Sequence, residues 1–498
     1  MCALALQQQA QIKHINAVNA KMAHEMAVLK RLKFAATSER FSPEQKSLLE
    51  EAIDEDLQAL EQEVGKLNPP AKQPGEKQVP KRQPLPAHLP RRDIHHEPDS
   101  TACSAPGCGC QMTRIGEDVA EKLDYEPGRF SVERHVRGKW ACAHCQTLTQ
   151  APVPACVIDK GIATAGLMAH VVVAKYIDHQ PLYRQEGILG RAGFAVPRST
   201  QAEWIGAIGV ELAPLVQAMR EDLLGRRVLH ADETPVAMLK PGHGKTHRAY
   251  LWSYCTTAWD DINAVVFDFA ESRAGHNARR FLGINEDGSG GWRGALICDD
   301  YAGYKQVMNA GVTEAGCLAH ARRKFHELWA NHQSTLAEAA LKLFGTLYDV
   351  EREARDMQRD ERLRLRQTKA RPAADLLHAW LIANRQKVPD GSATAKAIDY
   401  SLKRWAALTR FIDDADLAAD NNRIENLIRP IALGRKNWLF AGSLRAGQRA
   451  AAIMSLLHTA RLNGHEPYAY IKDVLDRLPT QPSSALADLL PYHWKPGA

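Results

Sequence analysis

The sequence predicts a multidomain α+β protein, and three observations carry that prediction. The chain has 498 residues, more than one domain normally holds. Both ends and a long stretch near 327–415 repeat apolar residues at helical spacing, whereas residues 226–300 hold runs of β-branched and aromatic residues. Between these regimes, five cysteines crowd into the segment from Cys103 to Cys145.

The bulk numbers allow a large core and narrow the class. Hydrophobic residues make up 45% and charged residues 24%, the balance of a globular chain rather than a disordered one. The formal net charge of +6 is mildly basic and alone does not diagnose a polyanion partner. No apolar run approaches the roughly 18 residues of a membrane helix; Gly166–Ala174 is short and contains His170. The opening MCALALQQQAQIKH has no basic stretch before its apolar patch, so it reads as no signal peptide. A cytoplasmic protein with no membrane partner is expected, and in that compartment clustered cysteines favour a metal over disulfides.

Residues 1–66 read as a helical, coiled-coil region. Leu48, Leu49, Ile53, Leu57, Leu60 and Val64 recur mostly every three or four positions, and Ser42, Pro43 and Gln45 make a helix start with a capping box. Such a helix either packs on its own protein or self-associates. Residues 67–100 carry eight prolines and several Lys and Arg, the composition of an extended basic linker. Residues 101–152 are a zinc-finger-like module. In residues 153–225, LYRQEGILGRA and RSTQAEWIGAIG flank a break at Gly193 and Pro197, a pattern like a helix-turn-helix and so a candidate DNA-binding region, though a plain helical hairpin fits equally.

From Arg226 the pattern changes to strands. RRVLHADETPVAML, AYLWSYCTT and NAVVFDFAE come in series, then a helix near His276–Leu282, then the apolar strand Gly294–Cys298. Three strands, a helix and a further strand suggest an α/β core of ribonuclease-H type, with its first part at 226–326. Residues 327–415 read as a helical insertion with Arg-rich faces, 416–445 as the second part of the core, and 446–498 as a helical tail.

Two sets of residues carry chemistry. Cys142 and Cys145 form a C-x2-C knuckle, half of what a tetrahedral zinc site needs. The other half comes from Cys103, Cys108 and Cys110, whose spacings depart from C-x2-C, with His135 and His144 in reserve. The second set is acidic. Asp232 follows the strand RRVLH, Asp299 ends GALIC with Asp300 directly after it, and Glu425 sits in the helix start DNNRIEN. Strand ends are where α/β sheets build sites. Carboxylates converging from separate elements are what two oxygen-seeking cations require for phosphoryl transfer. Cys317 and His320 share one helical face, but two donors are too few for a metal and packing is the expected role.

These motifs resemble the transposases of the insertion sequence 66 family. The resemblance runs through LKRLKFAATSER, the cysteine finger leading into IGEDVAEKLDYEPGRFSVERHVRGKWAC, PLYRQE, HADETPV, DDYAGY, GCLAHARRKFHEL, DNNRIENLIRPIALGRKNWLFAGS and SLLHTARLNGHEPYAYI. It implies an acidic-triad recombinase with a ribonuclease-H-like core, in which Asp232, Asp299 and Glu425 hold two Mg²⁺ or Mn²⁺ ions. Asp299 takes the Asp of D-x-Y-x-x-Y, followed by Tyr301 and Tyr304; Asp300 stands where the family often has a small residue, so either aspartate remains a candidate ligand. In the finger, Cys108 takes the second ligand place and Ala105 falls where the first would be, so Cys103 or Cys110 must substitute. One structural Zn²⁺ is implied.

The resemblance implies cleavage at transposon ends and strand transfer into target DNA, at the bacterial nucleoid. The alternatives are a metal-dependent nuclease without joining activity and an inactive protein that only binds the ends. Arg322, Arg323 and Lys324 form one basic patch and Arg435, Lys436 and Trp438 a second; both suit DNA phosphates and bases. A homo-oligomer pairing two DNA ends, with small accessory proteins of the same element, is also implied.

Overall fold

The computed structural model describes residues 2–35, 43–67, 85–103, 105–106, 108, 110–126, 128–158, 161–240 and 245–496. The capping box at Ser42 and most of the basic linker lie outside these residues. The chain forms two compact units: Met1–Leu215 with Leu239–Thr246 and Asn437–Ala498, and Val216–Met238 with His247–Lys436.

In chain order, the first unit contains helices α1 (Cys2–Ala35) and α2 (Pro43–Leu67), strands β1 (Arg91–His96), β2 (Thr113–Glu126), β3 (Arg129–Ala141) and β4 (Leu148–Gln150), and helices α3 (Ala165–Tyr176) and α4 (Leu182–Arg191). Helix α5 (Arg198–Leu224) leads into the second unit. There follow β5 (Val228–Met238), β6 (His247–Thr256), β7 (Val265–Ala270), α6 (His276–Phe281), β8 (Ala295–Cys298), α7 (Lys305–Asn309) and β9 (Thr313–Gly316). Helices α8 (Leu318–His332), α9 (Thr335–Ala354), α10 (Arg359–Leu365), α11 (Arg371–Arg385), α12 (Ala393–Lys403), α13 (Trp405–Thr409) and α14 (Asn422–Trp438) come next. Helices α15 (Leu444–Leu462) and α16 (Pro467–Arg477) belong again to the first unit.

The expected linker ends in structure. Arg91–His96 is a strand, parallel to Val132–Arg137 of β3. Proline spacing hid it, because the last proline before the strand is Pro90 and the next is Pro98, which leaves just enough chain to pair. β2 and β3 form a long hairpin turning at Gly128, whose φ of 85° suits glycine. Helix α3 lies on β2, capped by Thr164, whose hydroxyl also donates to Asp124 at 2.5 Å.

Within this unit, α2 is held by charge as well as by its apolar residues. Ile53, Ala59 and Leu60 are buried, and so are Glu51, Glu55 and Asp56. Arg449 of α15, itself buried, donates to Glu55 at 2.9 Å and Asp56 at 3.0 Å, and Lys175 of α3 meets Glu55 at 2.6 Å. Buried charges persist only when paired this closely. The periodicity of α2 is therefore spent at least partly on the chain's own helices.

The second unit is built on a five-stranded sheet in the order β7-β6-β5-β8-β9. β5, β6 and β7 form an antiparallel meander, whereas β8 and β9 run parallel to β5. Strands β5 to β8 are buried nearly throughout, as strands covered on both faces must be. Phe325, Phe344, Leu377, Ile398 and Phe411 from the helical segment share one core with Val228, Ile297 and Ala315 of the sheet. Arg362 and Arg366, which the sequence places on an Arg-rich face, point inward instead. Arg366 sits where the helix widens into a π turn over Arg366–Ala370. It grips Glu351 at 2.6 and 2.8 Å and donates to the carbonyls of Phe411, Asp414, Ala415 and Leu417. Replacing Arg366 by Ala strands Glu351 and those carbonyls, so Arg366→Ala is expected to cost about 3–5 kcal/mol in urea unfolding.

A second expectation concerns pH. Burial, with help from Arg461 and His179, holds His458 of α15 down to about 4. An unfolded histidine takes its proton near pH ~6.5. The stability His458 contributes is thus complete above that value and lost as pH falls through 4. The unfolding free energy of the wild type, read by urea titration, should drop across this window more than that of His458→Gln, by up to about 3 kcal/mol.

Candidate active site and metal centre

The sheet register brings two of the acids together. β5 and β8 pair in parallel up to His230 opposite Ile297. Asp232 and Asp299 each lie two residues beyond that pair, so the pleat points them to the same face. Asp232 Oδ1 accepts from the Glu233 amide at 2.9 Å, and Asp299 Oδ1 from the Tyr301 amide at 2.9 Å.

The third acid arrives through Asn421, whose bonds to the distant strand β5 no local pattern announces. Asn421 is buried just before α14. Its amide donates to the Ala231 carbonyl at 2.8 Å, and its side-chain oxygen lies 2.9 Å from His230 Nδ1. Two bonds to the strand that carries Asp232 fix the start of α14, and Glu425 is in the first turn of that helix. Arg423 adds a tie to the sheet, donating to the Thr256 carbonyl at 2.7 Å and to Asn263 at 2.8 Å.

Electrostatics mark Asp232 as the centre. Its carboxyl is pushed well above the usual range, first by burial, then by the negative charges of Glu233 and Asp299 and, more weakly, of Glu425. A buried carboxyl among carboxylates ionises only if a cation joins it. The donors are hard oxygens, the set that Mg²⁺ or Mn²⁺ takes. Asp300 points elsewhere: it pairs with Arg404 at 3.0 Å and Lys305 at 3.5 Å.

Glu233, the neighbour in HADETP, is a pillar beside the site. Its carboxylate meets Arg273 at 2.5 Å and accepts from the Tyr304 hydroxyl at 2.7 Å. Arg273 lies 3.8 Å above the Tyr301 ring, and the Tyr301 hydroxyl donates to the Arg273 carbonyl. Both tyrosines of D-x-Y-x-x-Y thus brace the loop after Asp299. Arg273 stands between β7 and α6 with no motif around it, so only contact reveals it.

The basic patches divide. Arg322 and Arg323 line a cavity of about 540 Å³ with His326, Tyr348, Arg352 and Asn422. Arg323 also approaches Glu425 at 3.4 Å, and Lys324 sits 4.5 Å over the Tyr400 ring. Arg435 is turned inward, donating to Thr234 and to the Pro235 carbonyl. Lys436 is exposed, while Trp438 is half-buried in the other unit.

In the finger, Cys103, Cys108, Cys142 and Cys145 bring their sulfurs within 4.8 Å of one another. Cys103 and Cys145 are 3.0 Å apart and Cys108 and Cys142 3.7 Å, against about 3.8 Å between thiolates on a tetrahedral zinc. The thiol of Cys103 holds Cys145 down to about 6, so the cluster already favours a thiolate. Cys110 falls outside: it is exposed and turns to the Cys108 carbonyl, while its own carbonyl accepts from the Cys103 amide at 2.8 Å. That backbone bond closes the irregular upstream loop and makes Cys103, not Cys110, the partner of Cys108. His135 stacks on His96 instead of reaching the sulfurs.

Comparison with known proteins agrees along most of the chain. A family model described as "Transposase IS66 family" matches residues 160–449. Further models match at 455–492 (IS66 C-terminal element), 101–146 (zinc-finger binding domain of transposase IS66) and 21–94 (Transposase C of IS166 homeodomain). Three proteins of Sinorhizobium fredii are similar in sequence. Uncharacterized protein y4jD is 35% identical over 82% of this chain and 81% of its own. Uncharacterized protein y4hP is 33% identical over 84% and 77%, and y4qI 35% over 98% and 91%. Among the described residues no helix is long and apolar enough to cross a membrane.

The cluster geometry sets a test of the finger. Cys108→Ser is expected to release one equivalent of zinc to a chromophoric chelator and expose residues 101–146 to protease, whereas Cys110→Ser keeps the ion.

Proposed function

Since the chain belongs to the IS66 transposase family, we propose that it cleaves DNA at transposon ends and transfers the freed strand into target DNA, using Asp232, Asp299 and Glu425. The observation that carries this reading is the gathering of Asp299 and Glu425 about the buried Asp232 carboxyl, which they and Glu233 raise. Two divalent cations held by the three acids would supply charge neutralisation on the scissile phosphodiester and on the attacking and leaving oxygens.

The chain's own residues do the positioning. Asn421 and the β5–β8 register aim the acids at one place, and the Glu233–Arg273–Tyr304 pillar keeps the loop after Asp299 from collapsing onto it. The strand order, with a three-stranded antiparallel meander extended by two parallel strands, supports a ribonuclease-H-like core interrupted by the helical segment α8–α13. Arg322, Arg323 and Arg352 line an open cavity near the start of α14 and suit DNA phosphates. Attack by water breaks the phosphodiester and leaves a 3′-hydroxyl and a 5′-phosphate; that hydroxyl then attacks a target phosphodiester, breaking its bond to the target strand's 3′-oxygen, which leaves as a hydroxyl, and no covalent protein intermediate is needed. The zinc finger and the α4–α5 helix pair serve end recognition, and two ends require at least two copies of the chain.

Cleavage and joining of labelled element-end DNA in Mg²⁺ test the reading. Asp232→Asn, Asp299→Asn and Glu425→Gln should each lose on the order of 1000-fold in rate, several kcal/mol of transition-state stabilisation. Asp300→Ala should retain activity, because its carboxylate serves Arg404 and Lys305. Nicking without joining would establish the nuclease reading, and end binding without cleavage the binding-only one.

A further inference from the structure

Cys317 and His320 gain a third companion in the folded chain. Cys317 Sγ, a ring nitrogen of His320 and a Glu425 carboxylate oxygen lie within 4.8 Å of one another, although Glu425 is far away in sequence. His320 Nδ1 and Glu425 Oε1 are 3.7 Å apart. Both atoms are shut off from solvent and neither makes a hydrogen bond among the described residues. Buried polar atoms without partners are rare and call for an explanation. Their spacing is close to the roughly 3.4 Å that a nitrogen and an oxygen adopt on one tetrahedral zinc ion.

Two backbone donors face the sulfur, against a burial that raises its thiol. Cys317 is 1% exposed at the start of α8, and the Asn421 amide donates to its Sγ at 3.2 Å. The His320 amide also faces it. Backbone N–H groups aimed at sulfur stabilise a thiolate ligand and orient it.

We propose that Cys317, His320 and Glu425 form a second metal site, specific for a borderline-soft divalent cation such as Zn²⁺, with its fourth position open. A sulfur, an imidazole and one carboxylate select zinc over magnesium, which wants oxygen alone. Closing the donors onto one ion takes side-chain movements of about 1 Å from their present spacing. The filled site takes Glu425 Oε1. Where Glu425 is the third acid, an assignment that rests on the function proposed above, zinc withholds that oxygen from the catalytic cations and acts as a brake.

Zinc stoichiometry of the full-length protein tests the site. Protein equilibrated with zinc and then desalted is expected to retain two equivalents, one in the finger and one here. His320→Ala, a substitution at a partly exposed helix position, should retain one at a melting temperature unchanged from the zinc-free wild type, and Cys317→Ala should also retain one. Cys145→Ser combined with His320→Ala should retain none. In the cobalt-substituted protein, His320→Ala should remove one set of visible bands and leave the finger's thiolate charge-transfer bands intact. In Mg²⁺-dependent cleavage, the zinc concentration that inhibits should rise by about tenfold or more in His320→Ala relative to its own zinc-free rate. Two equivalents retained by His320→Ala, or a single wild-type equivalent abolished by Cys145→Ser, overturns the site. Because stoichiometry reads binding alone, a protein that holds two zinc ions but cuts no DNA keeps this site and refutes the proposed function. A protein that cuts DNA with one zinc does the reverse.

Discussion

The second unit is organised around a repulsion. Asp232 is surrounded by Glu233, Asp299 and Glu425, and burial deepens the cost of ionising it. Carboxyl groups do not gather in this way unless other interactions force them to. Here the forcing is done by backbone: the parallel pairing of β5 and β8 sets two acids side by side, and Asn421 clamps the helix bearing the third. One neighbour is neutralised locally, since Glu233 is spent on Arg273 and Tyr304. Asp299 accepts from the Tyr301 amide, and Glu425 meets Arg323.

The scaffold that resists this repulsion is itself polar. Arg366, held by Glu351 of α9, fastens the helical segment to residues 411–417, just upstream of Asn421, through four carbonyls. In the first unit, Arg449 and Lys175 play a similar part for the acids of α2. Buried ion pairs of this kind add little net stability over apolar packing, but they tolerate only one arrangement, because any slip leaves a charge unpaired. Metal centres obey the same logic. The four sulfurs of the finger, and the Cys317–His320–Glu425 group, are arrangements whose donor atoms lie within 4.8 Å of one another.

Much of this was legible in the residues. The strands of the second unit, the helix near His276 and the helical run after it follow from β-branched clusters and helical periodicity, and the observed elements fall where those patterns lie. Other features were not legible. Arg91–His96 looks like linker because a parallel partner some forty residues away is what makes it a strand. Arg362, Arg366 and Arg435 look like solvated or DNA-facing charge, yet each is consumed by carbonyls that only the fold delivers. Cys317 and His320 looked like two donors short of a site because their third companion lies in another helix.

The sequence by itself determined the family, the chemistry-bearing residue types and the local elements on which they stand, because motifs and periodicity are properties of neighbouring residues. The tertiary structure alone decided which of them meet. It separated Asp299 from Asp300, set Cys103 rather than Cys110 beside Cys108, and joined Glu425 to both the acids and the Cys317–His320 pair. Each of those outcomes depends on strand register or on a single buried hydrogen bond between distant segments, and a contact of that kind leaves no periodic trace in the chain that makes it.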